Sequence, residues 1–329
     1  MNNFKKIGLS ALAGSLVAMS AQAGDLSISG TSALYIANSD ENTKTSYSMD
    51  DSVTFSGSTE LDNGLTYSFS LEVDGDAQSA KVDPAAASAT ATGSNVVDSH
   101  SISLSSDSFG TLTFAGHGGT GVLDGWDDVT PNAYEESWDV VSGADASRTN
   151  GLAGDNSFGY VSPSMSGATF HASYFPGAAI GNTFYTDFGV KISPEMVEGL
   201  EVGYAMGTTE ATAGTEIDDS TMYIKYAVGA VTVGYQTSES DAPTATDTDE
   251  STMFGISYAI SDSFTVAYSQ SEFDLGSSTT DQESDGISAS YTMGGITIAG
   301  AMNSTDNIAG STATTADKDA YEMSISFAF

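Results

Sequence analysis

Between residues 65 and 73 every second side chain is apolar: Leu65, Tyr67, Phe69, Leu71 and Val73 fall on one side of an extended chain, and Thr66, Ser68, Ser70 and Glu72 on the other. Successive side chains of a β-strand point to opposite faces, so this period of two makes a ribbon with one apolar and one wet face. The pattern returns around 26–36, 53–57, 102–104, 112–114, 158–160, 170–174, 188–192 and 200–206. It continues at 222–226, 231–235, 254–258, 264–268, 287–291, 296–298 and 321–329, which makes about 16 strands. No segment of comparable length repeats every 3.6 residues, so the chain reads as all-β.

A soluble sandwich shows the same alternation, and the connections decide between the two. Short turns at 62–64, 106–110, 163–167, 193–199, 227–229, 261–263 and 294 alternate with longer acidic or small-residue segments near 38–46, 75–98, 118–155, 176–183, 208–219, 237–251, 273–285 and 303–319. In an up-and-down antiparallel barrel every second connection lies on the same rim, short on one side and long on the other. A Greek-key sandwich has no cause to keep that rhythm. An even strand number puts both termini on the short-turn rim, and pairing the first strand with the last leaves no open edge in hydrocarbon. Polar residues break every apolar run, so a transmembrane barrel is the way this sequence crosses a bilayer. Tyr174, Tyr204, Tyr226, Tyr235, Tyr258 and Tyr268, ending apolar faces, suit an interfacial girdle.

Residues 1–23 read as a cleaved export signal: Lys5 and Lys6, an apolar stretch from 7 to 19, then Ala21-Gln22-Ala23. Residues 24–329 are left to form the barrel. Charge is heavily one-sided, with 8 Lys plus Arg against 44 Asp plus Glu; loss of the two signal lysines leaves six bases and a net of −38. Such a field repels nucleic acid and attracts cations, although an acidic surface also serves simply to keep a halophilic protein soluble. The absence of Cys removes disulfides and thiolate metal sites.

Three segments together resemble the general diffusion porins of Gram-negative outer membranes, alphaproteobacterial type. They are the opening strand Asp25-Leu26-Ser27-Ile28-Ser29-Gly30, the hairpin strand Phe109-Gly110-Thr111-Leu112-Thr113-Phe114, and Tyr321-Glu322-Met323-Ser324-Ile325-Ser326-Phe327-Ala328-Phe329 with its terminal Phe. The resemblance implies a 16-stranded homotrimer in the outer membrane, in contact with its lipids and lipopolysaccharide, passing small hydrophilic solutes and cations. It also implies that the third long loop, about 118–155, folds into the lumen. That loop carries Asp124, Asp127, Asp128, Glu135, Glu136, Asp139 and Asp145 against the single Arg148, a candidate cation-concentrating constriction. Strand parity turns Glu72, His117, His171, Asp187, Lys191, Glu201 and Lys225 toward the lumen wall. A charge on the lipid face would cost about 2–4 kcal/mol near mid-membrane. The arginine cluster that such porins commonly set opposite the acidic loop is missing: Tyr35, Thr54, Ser58 and Glu60 occupy the inward face of the early strands, with Lys44, Lys191 and Lys225 as partial substitutes.

Rival chemistries are weaker. Gly116-His117-Gly118-Gly119-Thr120-Gly121 spells a dinucleotide fingerprint, but an acidic loop follows where a helix is required. It reads better as flexibility where the chain bends inward. No Gly-x-Ser-x-Gly or His-Glu-x-x-His occurs, and three scattered His make no metal cluster. No cofactor or catalysis is expected. Asp247, Asp249 and Glu250 offer at most weak Ca²⁺ association at the rim. The competing function is a secreted acidic β-protein acting as an adhesin or surface-layer component.

Overall fold

The computed structural model describes residues 26–40, 44–74, 96–144, 151–178, 183–211, 215–241 and 248–329; residues 1–23, expected as an export signal, lie outside them. Its strands are β1 (Ser27–Ser39), β2 (Ser46–Glu60), β3 (Thr66–Asp74), β4 (Val97–Ser106), β5 (Gly110–His117), β6 (Gly119–Thr120), β7 (Ala153–Gly154), β8 (Ser157–Val161) and β9 (Ala168–Ala178). They continue as β10 (Thr183–Ile192), β11 (Leu200–Ala211), β12 (Thr215–Val228), β13 (Val231–Asp241), β14 (Asp249–Ser261), β15 (Phe264–Asp274), β16 (Gln282–Met293), β17 (Ile296–Asp306) and β18 (Lys318–Ala328). All except β6 and β7 form one closed antiparallel barrel of 16 strands. Closure runs through β1 and β18, with Leu34 opposite Ile325. Gly30 and Phe329 exchange both backbone hydrogen bonds at 3.0 Å. Gly30 also makes room for the terminal ring, since a Cβ there would stand 2.5 Å from Phe329 Cζ.

The alternation sorts residues as a membrane barrel requires. Phe188 is 58% exposed on the outer face while its neighbour Asp187 is 0% exposed on the inner one. Met222, Ile224, Ile287, Ile298 and Phe327 stand exposed outside. In a sandwich these rows would interdigitate in a core; here hydrocarbon covers them, worth about 1.5–3 kcal/mol per large side chain removed from water. Tyr226 and Tyr258 face outward near the short-turn ends of their strands, where an aromatic ring meets the headgroups.

The strands outrun their alternation on the long-loop side. Segments expected as loops near 208–219 and 237–251 are largely strand: β11 continues to Ala211, β12 starts at Thr215, β13 reaches Asp241 and β14 starts at Asp249. Backbone ladder bonds need no apolar side chain. Above the hydrocarbon both faces are wet, so the hydropathy signal stops while pairing goes on.

A candidate pore constriction

The third long connection leaves β5 at Gly118, whose φ of +66° favours glycine. The two-residue ladder of β6 and β7 fixes its base. Gly121 passes so close to the wall that a Cβ would lie 2.8 Å from the Leu152 carbonyl oxygen and 2.9 Å from Asp187 Oδ2. The glycine run thus serves close packing as well as bending. It leads into the 3-10 turn Asp124–Trp126, not into the helix a dinucleotide fold needs.

From there the loop is pinned across the inner wall by side chains of β9 to β18. Buried Asp187 accepts the Leu123 amide at 2.9 Å, the Tyr185 hydroxyl at 3.1 Å and the Ser173 hydroxyl. Trp126 meets His171 and Tyr223 edge-on, with centroids 5.1 and 5.6 Å away. Gln236 accepts the Val129 amide at 2.9 Å and donates to the carbonyls of Trp126 at 2.6 Å and Asp127 at 3.1 Å. Pro131 lies over Gly234 and Gly255, where a Cβ would come within 2.5 and 2.7 Å of it. The Ser288 hydroxyl accepts the Ala133 amide, and Tyr134 donates to Glu322 Oε1 at 2.5 Å. The loop ends in an apolar cluster in which Trp138, Val140, Val141 and Ala144 pack on Met253, Phe273 and Ala301. Lys318 Nζ donates to the Ser142 carbonyl at 3.1 Å. At its root Gly118 passes Asp98 and Ser99 beside β4.

This seat puts carboxylates into the bore. Asp124 is half-buried, and burial followed by the nearby Asp187 raises it above the usual carboxylate range. Asp127 is pushed up to about 6 by burial, then by Asp128 and Asp124. Asp128 Oδ1 accepts the Thr130 amide at 3.2 Å and hydroxyl at 3.1 Å. Burial first, then a hydrogen bond with Asp128, raise Glu136 strongly above the usual carboxylate range. One carboxylate oxygen each from Glu135, Glu136 and Asp139 lies within 4.8 Å of the others, a spacing a cation could bridge. Asp145 and Arg148 lie outside the described residues.

The lumen-wall residues divide by height and by role. Asp187 faces inward but lies beneath the loop, as an anchor rather than an open wall charge. His171 likewise sits under Trp126, with its Nε2 3.1 Å from the Thr169 hydroxyl. At the root of the loop, His117 Nδ1 is 2.5 Å from Asp155 Oδ1, and Glu72 accepts the Ser99 hydroxyl at 3.4 Å. Lys225 pairs with Glu201 at 3.3 Å. It and Lys191 lie toward the short-turn ends of β12 and β10, whereas Lys44 lies in the first long loop. Lys44 thus stands apart, whereas Lys225 is the register partner of Gly234 beneath Pro131, and Lys191 is two residues from Gly189 beneath Trp126, so these two lie beside the loop's seat. Of the rim acids, Asp249 Oδ1 accepts the Gly276 amide at 2.9 Å, Glu250 is exposed at the start of β14, and Asp247 lies outside the described residues.

Sequence reasoning did not single out Gln236, Tyr185, Trp126, Tyr134, Glu322 and Lys318, which hold the loop in place. One signal was available: inward glycines at 189, 207, 234, 255 and 286 each lie under an atom of the loop. A glycine inside a strand marks close approach of another backbone or ring.

The Gram-negative porin family model matches residues 8–329. The chain belongs to that family. A mutant porin of Rhodopseudomonas blastica superposes with a TM-score of 0.65 at 17% identity, covering 93% of this chain and 100% of that one. OmpT of Vibrio cholerae, an outer membrane protein solved in trimer form, gives 0.67 at 12% identity, with 93% and 100% covered. No curated protein matches the sequence. At these identities the structures speak for the fold; the family model speaks for an outer-membrane diffusion channel.

Proposed function

We propose that this porin is a passive, cation-preferring pore for small hydrophilic solutes, assembled as a homotrimer and working without cofactor or catalysis. The observation that carries the charge preference is the seating of Asp124, Asp127, Asp128, Glu135, Glu136 and Asp139 on the lumen-crossing loop, against Lys191 and Lys225 beside it, of which Lys225 is paired with Glu201, while Lys318 is tied to the Ser142 carbonyl. Carboxylates in a narrow aqueous channel focus a negative potential that concentrates cations. Trimer formation is supported by the outer row of β2, where exposed Asp51 stands between Met49 and Val53 and beside Ser32 of β1. A charge in that row is better covered by a neighbouring copy than by lipid; the remaining apolar rows face membrane lipids and lipopolysaccharide.

The test is the reversal potential of the purified protein in a planar bilayer under a KCl gradient. A cation-signed potential with insertion in steps of three is expected. An anion-signed potential would refute the charge reading, and a lack of conductance would refute the pore. The chain should also stay in the outer-membrane fraction after a high-salt wash, unlike a secreted acidic β-protein.

A further inference from the structure

Half a turn around the barrel from the acidic loop stands a surface of different chemistry. Asp127 is held against Gln236 of β13, and eight steps around the sheet of sixteen strands lead from β13 to β3. Gln236 lies five residues from either end of β13, and Ser70 lies four from either end of β3, so the two regions share mid-strand height. Around Ser70 the inward positions form two cross-strand rows: Ser56, Ser70 and Ser101, then Ser58, Ser68 and Ser103. These serines border a recess of about 360 Å³.

Among the described residues, neighbouring hydroxyls are engaged while these six are not. Thr31 and Ser52 next to them bond each other at 3.2 Å, and Ser99 donates to Glu72. Within the described structure none of the six has a side-chain hydrogen-bond partner, and all are at least partly exposed. The loop covers the wall from β9 to β18, so a solute crossing the constriction passes along this surface.

We infer that the β2–β4 wall is a hydroxyl track that favours polyhydroxylated solutes, polyols and neutral sugars, over solutes of equal size that only accept hydrogen bonds. A serine hydroxyl both donates and accepts. A row of them, spaced by the strand-to-strand repeat of about 4.8 Å, can exchange bonds with successive hydroxyls of a passing polyol and replace the water it sheds on entry. An oligoethylene glycol, having ether oxygens along its length, accepts but hardly donates and uses half of that capacity. The six serines carry no charge, and the inward acids Asp50, Glu60, Glu72 and Asp74 stand toward the strand ends, so the hydroxyl preference is separate from the cation preference imposed by the loop.

This inference rests on the pore reading above, and the test keeps the two apart. Liposome swelling is measured with a linear hexitol and with an oligoethylene glycol of matched hydrodynamic size, for the wild-type trimer and for a Ser56→Ala, Ser70→Ala, Ser101→Ala variant. KCl conductance and reversal potential are recorded on the same preparations. The wild type should admit the hexitol faster, and the alanine variant should lower the hexitol-to-glycol ratio about threefold, given that each hydrogen bond contributes modestly. Its reversal potential should not change, and threonine at the three positions should restore most of the ratio. An unchanged ratio, or a parallel rise of both rates from simple widening, overturns the hydroxyl track and leaves the pore intact. An anion-signed potential in the wild type instead overturns the charge reading alone.

Discussion

Inward-facing positions on β10–β16 and on β2–β4 are built from different residues, though all belong to one closed sheet. The first group alternates glycine with large or polar side chains, and its glycines at 189, 207, 234, 255 and 286 make room for Trp126, Leu123, Pro131 and the chain at Ser137. The second has no inward glycine and carries Ser or Thr at most inward positions, with Asp50, Glu60, Glu72 and Asp74 toward its ends. One surface is shaped to hold a particular loop by steric fit and buried hydrogen bonds. The other is shaped for water and whatever travels with it. A substitution should therefore act through packing on one side and through solute contact on the other.

The largest break in this contrast is expected from Asp187→Ala. It leaves the Leu123 amide and the Ser173 and Tyr185 hydroxyls without their shared acceptor, and each buried donor left unpaired costs about 1–3 kcal/mol. Single-channel recordings should show a noisier pore of about twofold higher conductance as the constriction loosens; a quiet pore of unchanged conductance would mean that the loop's seat does not set the bore. Next comes Gly255→Val, which drives a side chain into the Pro131 backbone and should cost about 1–3 kcal/mol by overpacking. Ser70→Val on the open wall should stay within about 0.5 kcal/mol. Heat-modifiability midpoints of the two variants compare them directly, and equal shifts would erase the distinction between the surfaces.

A smaller effect follows from acid. Asp127 is raised to about 6, so the seated loop favours its neutral form. Its contribution to the seat is complete below the ordinary carboxylate range and is lost as pH rises through about 6. Lowering pH from 7.5 to 5 should reduce the K⁺/Cl⁻ permeability ratio by about twofold through loss of that charge, with a quieter open level; a ratio that rises on acidification contradicts the placement of Asp127 in the bore. The smallest effect is expected from Lys225→Ala. The partly exposed pair with Glu201 at 3.3 Å is worth at most about 1 kcal/mol. The reversal potential should move slightly further toward the cation value with no measurable change in melting.

How much of this was legible in the sequence differs by region. The strands 65–73, 188–192 and 321–329 were plain because a hydrocarbon exterior enforces period-two alternation wherever the wall meets lipid. The constriction was only partly legible. The acids of the third loop could be counted, but Asp187 reads like any other inward carboxylate until the Leu123 amide is seen on it. Gln236 and Tyr134 carry no local signal, since their partners lie 107 and 188 residues away in the chain.

The sequence by itself determined the all-β class, the number of strands, which side of each faces oil and the acidity of the third loop. These follow from the two-residue pitch of a strand and from local composition, and neither depends on distant contacts. Only the tertiary structure decided which ten strands the loop covers, which acids are desolvated there, and which serines remain open to the bore. Those outcomes are set by closure of the cylinder, which brings residues more than a hundred positions apart within hydrogen-bonding distance.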